Sequence, residues 1–100
     1  MVVHSVYFWL KSDLGSAEEQ KFWTMVRALL TIKSVKHGWV GKPAQTEDRP
    51  IIDKSYSCAL VLAFDDMAGH DFYQVDPVHD EFRTGCHTFW SKIQIYDATC

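Results

Sequence analysis

The chain has no excess of basic charge, no long apolar run and no short motif that names a chemistry. Ten Lys and Arg stand against 13 acidic residues for a formal charge of -3, so no cationic field exists to hold a phosphate backbone, and nucleic acid is not an expected partner. No stretch approaches the roughly 20 apolar residues needed to cross a bilayer. Met1 to Leu10 also lacks a basic leader and a small-residue cleavage site, which predicts a cytoplasmic protein with no membrane partner. The absence of a Gly-rich phosphate loop, a serine nucleophile elbow and a paired-cysteine motif sets aside nucleotide, hydrolase and zinc-site readings. Cys58, Cys86 and Cys100 are an odd number without metal-like spacing. Free, mostly buried thiols are expected rather than a disulfide framework.

What is present is an unusual amount of apolar material for the length. At 100 residues there is room for one domain, residues 1–100, and not for a second core. Hydrophobic residues make up 47% of the chain, with six Phe, four Trp and four Tyr, more than so short a chain easily hides from water. A pocket or a partner surface should absorb the excess.

The patterning predicts six principal elements. Val2 to Leu10 alternates as a strand with apolar groups on both faces, His4, Val6, Phe8 and Leu10 on one and Val3, Ser5, Tyr7 and Trp9 on the other. Such a strand needs cover on both sides, helices on one and a second subunit on the other. Ser16 with Glu19 three residues on has the form of a capping box, so a helix is expected from there to about Lys33, with Phe22, Trp23, Val26, Leu29 and Leu30 as its apolar stripe. Val35 to Val40 reads as a second strand. A polar loop punctuated by Gly41-Lys42-Pro43 and Arg49-Pro50 then reaches about Lys54. Tyr56 to Phe64 is the third strand. Asp65 or Asp66 caps a second helix to about Gln74, and Asp76-Pro77 stops it and restarts a shorter one. Lys92 to Asp97 is the last strand. The order is the split βαβ pattern, an α+β ferredoxin-like βαββαβ fold with a four-stranded antiparallel sheet.

Several phrases, in order along the chain, resemble the stress-responsive A/B-barrel (Dabb) family. They are His4-Ser5-Val6-Tyr7-Phe8 with Leu10-Lys11, Gly41-Lys42-Pro43-Ala44, Arg49-Pro50, Ser55-Tyr56, and Tyr73 with Asp76-Pro77-Val78-His79-Asp80-Glu81-Phe82. The resemblance covers nearly the whole chain and implies a homodimer, a dimeric α/β barrel. The family includes small proteins of no assigned activity and a plant cyclase that closes a linear polyketide by an aldol step without a cofactor. That cyclase's active-site tyrosine and histidine match Tyr73 and His79, its strand-one histidine matches His4, and its last-strand aspartate matches Asp97. Cys58 stands where the cyclase carries a histidine, and the pocket lining differs.

The fold places these residues so that chemistry can be argued. In the ferredoxin-like order the end of strand four lies beside the start of strand one, and parity lets His4 and Asp97 both point toward the helices. They form either a satisfied polar pair or part of a site. Tyr73 and His79 flank the break at Asp76-Pro77, so the chain can turn both toward one place. A histidine accepts a proton near neutral pH and a tyrosine hydroxyl can hold a developing oxyanion, although structural roles suit both equally. Asp76, His79, Asp80 and Glu81 are ligand types for magnesium or manganese. Helix capping accounts for Asp76 and solvated helix surface for Asp80 and Glu81, so no metal is expected there. His37, His70 and His87 have no evident partner.

The inward parities and the helix stripe predict a pocket bounded by Val6, Phe8, Phe22, Val26, Phe82 and Ile95. The aromatic residues alone fit core filling as well as cavity lining. The leading expectation is a homodimer that binds a small, largely apolar, oxygenated molecule in each subunit and acts without a cofactor as a cyclase, lyase or isomerase beside a carbonyl. A non-catalytic stress or assembly protein is the rival, favoured if no cavity opens beside His79. A monooxygenase is a third reading that rests on fold analogy alone.

Overall fold

A computed structural model describes all 100 residues. β1 (Val2–Leu10), β2 (His37–Gly41), β3 (Cys58–Phe64) and β4 (Trp90–Thr99) form one sheet in the order β2-β3-β1-β4, with every neighbouring pair antiparallel. α1 (Ser16–Ala28), α2 (Met67–Gln74) and α3 (Pro77–Cys86) complete the fold. The expected ferredoxin-like order and antiparallel sheet are both present. No helix is long and apolar enough to cross a membrane.

β1 sits second from one edge, paired with β4 from Val2 to Leu10 and with β3 from Val2 to Phe8. Its inward residues Val2, His4, Val6 and Phe8 are buried, as are Cys58, Leu60, Leu62 and Phe64 on β3. α1 seats Phe22, Val26 and, in the 3₁₀ turn that follows it, Leu29 on this surface. The Phe8 ring is centred 5.3 Å from Phe22, 5.8 Å from Phe82 and 5.1 Å from Trp90, so one aromatic cluster ties the first helix, the third helix and the last strand to the central strand. β2 comes close because Gly38 has no side chain. A Cβ there would lie 2.6 Å from Leu30 Cδ2 and 3.0 Å from Leu62 Cδ2.

Several element boundaries differ from the patterning. The cap of α1 is Gly15, whose N–H donates to Glu18 Oε1 at 2.9 Å. Ser16 is already the first helical residue, so the Ser16–Glu19 capping frame is one position late. β2 begins at His37 rather than Val35, because the Val35 N–H donates to the Ile32 carbonyl at 3.0 Å and closes a turn. β3 begins at Cys58 rather than Tyr56. The Ser57 N–H does reach the Phe8 carbonyl at 2.7 Å, but it lies outside the ladder. α2 starts after Asp66, which accepts from the Gly69 N–H, and α3 starts after Asp76, which accepts from the Val78 N–H. α3 is the longer of the two, 10 residues against 8, since Pro77 costs nothing in a first turn whose N–H has no helical partner. β4 extends beyond both expected ends because the full length of β1 is available to pair with it.

Between β2 and β3 the chain is irregular from residue 42 to residue 57, apart from one turn closed by the Ile52 N–H on the Arg49 carbonyl. Lys54 Nζ donates to the Thr46 carbonyl and pairs with Asp48. Cys58 and Cys86 are buried free thiols, and Cys100 is exposed.

Phe22 is wholly enclosed by core side chains, so Phe22→Ala should cost about 3–5 kcal/mol in urea unfolding. A loss below about 1 kcal/mol would mean that the site collapses around the deletion and that Phe22 is not the centre of the packing.

Candidate active site

The ladder between β1 and β4 sets His4 directly opposite Asp97. Opposed residues on one face of a sheet bring their side chains together, and His4 Nδ1 lies 2.5 Å from Asp97 Oδ1. His4 is only 3% exposed and is the one buried polar residue of the core, whereas the Asp97 side chain is half exposed. The register argued from parity is therefore realised.

Tyr73 comes from the last turn of α2 and His79 from the first turn of α3. Val75 leaves helical geometry, Asp76 caps α3, and this reversal brings the two rings edge-on with centroids 4.9 Å apart. The Tyr73 ring is also 5.9 Å from that of His4. All four expected site residues thus belong to one chain of contacts, Asp97 to His4 to Tyr73 to His79.

The electrostatics give the last two distinct states. Burial pushes the Tyr73 phenol far above its ordinary value, so it remains a protonated donor. Burial lowers His79, and the Arg83 charge lowers it further, with Asp80 opposing. Neutral imidazole is therefore favoured at neutral pH. Nδ1 of His79 is buried without a hydrogen-bond partner, an expensive arrangement unless something else meets it.

These groups line one end of a cleft of about 180 Å³. It opens because the helices sit over β1 and β3 and leave the inward face of β4 uncovered; Ile93 and Ile95 are 40% and 44% exposed. Val6, Phe8, Phe82 and Ile95 line the cleft as expected. Phe22 and Val26 do not, because the α1 stripe is pressed into the core beneath it. Ile93 and Trp90 take their place, and parity with Ile95 is the signal that would have found Ile93. Gln74 and Arg83 also line the cleft. Arg83 could have been anticipated as one helical turn beyond His79.

His70 was also missed. It lies three residues before Tyr73 on α2, and its ring is 5.2 Å from that of His4. His4, His70 and Asp97 each offer a possible metal-ligand atom, all within 4.8 Å of one another. The 2.5 Å contact between His4 and Asp97 is a hydrogen-bond distance, too short for two ligands that each stand about 2.0–2.2 Å from one zinc ion. Around His79 the acidic groups are otherwise engaged, Asp76 in its cap and Asp80 3.5 Å from Arg83. Cys58, in place of the histidine suggested by resemblance, is sealed in the core, where burial pushes its thiol up to about 12. It is no nucleophile.

Comparison with known proteins places this geometry in context. The family model described as Stress responsive A/B Barrel Domain matches residues 2–100. Olivetolic acid cyclase of Cannabis sativa is 23% identical over 99 residues, covering 98% of this chain and 95% of the cyclase. Hydroxynitrile lyase from Passiflora edulis superposes with a TM-score of 0.78 at 21% identity, over 97% of this chain and 90% of the lyase. A dimeric ferredoxin-like protein of unknown function from Thermobifida fusca superposes with a TM-score of 0.78 at 17% identity, over 99% and 90% of the two chains. With the family match spanning all but the first residue, the chain belongs to the stress responsive A/B barrel (Dabb) family.

Proposed function

We propose that the protein is an acid–base catalyst that moves a proton beside a carbonyl in a small, largely apolar, oxygenated molecule, as a cyclase, lyase or isomerase of the carbon-acid kind. The observation that carries this reading is the buried, unpartnered Nδ1 of His79 beside Tyr73 at the polar end of an apolar cleft. The open cleft beside His79 favours this over a packed, non-catalytic assembly protein. A cyclase and a lyase among the similar proteins support the same class of chemistry.

In this reading neutral His79 takes a proton from the carbon next to the carbonyl. The C–H pair becomes the enolate, and the Tyr73 hydroxyl donates to its oxygen as charge develops. The enolate carbon then either attacks a second carbonyl, whose oxygen takes the proton from the imidazolium, or takes that proton back itself. His4, held by Asp97, braces Tyr73 from the other side. These side chains suffice for the step.

The outer face of the sheet enters the reading as well. Tyr56 packs on Tyr7, but Trp39 and Tyr96 remain 60% and 62% exposed. A second copy would cover this face by a two-fold, self-complementary contact, and the Thermobifida fusca relative is described as dimeric. Sedimentation should give twice the 11.5 kDa chain mass. Tyr96→Glu should reduce it to one chain while far-UV circular dichroism holds; a wild-type monomer at micromolar concentration would exclude the dimer.

Catalysis can be read by deuterium exchange into the methyl group of acetophenone in D2O, followed by NMR. Wild type should exceed buffer, and His79→Ala should lower the enzymatic rate by roughly 100- to 10,000-fold with folding preserved. Tyr73→Phe should also slow it. Because His79 is lowered from its ordinary value of about 6.5, the rate should lie on a plateau at neutral pH and fall only below that value as the base is protonated. Rates unchanged in both variants would reject the assignment.

A further inference from the structure

The residues lining the cleft carry one fixed charge. Arg83 is the only lysine or arginine among them, and no carboxylate lines the cleft. Its one acidic neighbour, Asp80, pairs with Nη2 alone at 3.5 Å, and the guanidinium carries five N–H donors. The guanidinium therefore keeps free donors. It follows His79 by four residues on α3, so the two emerge on one helix face about one pitch apart, ~5.4 Å.

The lining is also aromatic. Phe82 and Trp90 lie nearly parallel, with centroids 5.7 Å apart and planes 27° apart. An apolar cavity of about 150 Å³ holds benzene, so the cleft of about 180 Å³ accepts one six-membered ring, or a chain of similar length, with a short substituent.

We infer that Arg83 is a specificity residue that selects a small carboxylate-bearing substrate, its carboxylate held by the guanidinium and its reacting carbonyl placed beside His79 and Tyr73. This rests on the carbonyl chemistry proposed for the same cleft and adds what the substrate must carry. A single cation matches a monoanion, and the planar guanidinium fork matches a carboxylate in two parallel hydrogen bonds. No carboxylate lines the cleft, and Asp80 meets Arg83 without lining it.

The test is a binding comparison of benzoate with benzamide, which share shape and differ in charge. Both are titrated into wild type, Arg83→Gln and Arg83→Lys and followed by amide and side-chain NMR shifts of the cleft. In wild type, benzoate should bind roughly tenfold tighter than benzamide, the factor that about 1.4 kcal/mol confers. Arg83→Gln should abolish that preference while leaving benzamide affinity within about twofold, and Arg83→Lys should keep part of it. Equal binding of the two probes to wild type, or a preference that survives in Arg83→Gln, overturns the inference while the carbonyl reading stands. If neither probe shifts His79 or Phe82, the cleft is not a ligand site, and both readings fall together.

Discussion

The pairing of β1 with β4 holds the site in place. Val6 opposite Ile95 and His4 opposite Asp97 are successive rungs of one antiparallel ladder on the helix-facing side. A slip of one residue would turn Asp97 and both isoleucines to the outer face and leave His4 buried without its carboxylate. β3 also holds β1 from Val2 to Phe8, so the slip would move β4 and shift Trp90 out of the aromatic cluster around Phe8. Sheet register, core packing and the polar end of the cleft are one constraint.

The second determinant is the reversal at Val75 and Asp76. A continuous helix would set Tyr73 and His79 six residues apart, on different sides of its surface. The break lets α3 start afresh with its own cap, and the two rings meet edge-on. Burial disfavours the charged form of both groups, which raises the phenol and lowers the imidazole and leaves both neutral. A hydrogen-bond donor and a base in adjacent positions result from the same desolvation.

The cleft itself is a consequence of coverage. Three helices lie on a four-stranded sheet, and they are spent on β1, β3 and the turn beside β2, so the inward side of β4 has no helix over it. Phe22 and Val26 close the floor while Ile93, Ile95 and Trp90 are left as wall. The unfilled volume is a product of layer geometry rather than of any special sequence at the cleft.

Alternation along β1 and β3, the α1 stripe and the Asp76-Pro77 break were all legible in the chain, because strand and helix periods are local and short. They yielded the element order, the fold, the inward direction of His4 and Asp97, and Val6, Phe8, Phe82 and Ile95 as pocket residues. Boundaries were less legible: β2 begins after the Val35 N–H closes a turn on Ile32, α1 begins where the Gly15 N–H meets the Glu18 carboxylate, and single-residue patterns do not record those bonds. Only the tertiary structure decided that Phe22 and Val26 belong to core and that His70 lies against His4. An apolar or charged residue on an inward face has the same local signature whether it meets a neighbour or a void. Which of the two it meets depends on how helices from distant parts of the chain divide the sheet among themselves.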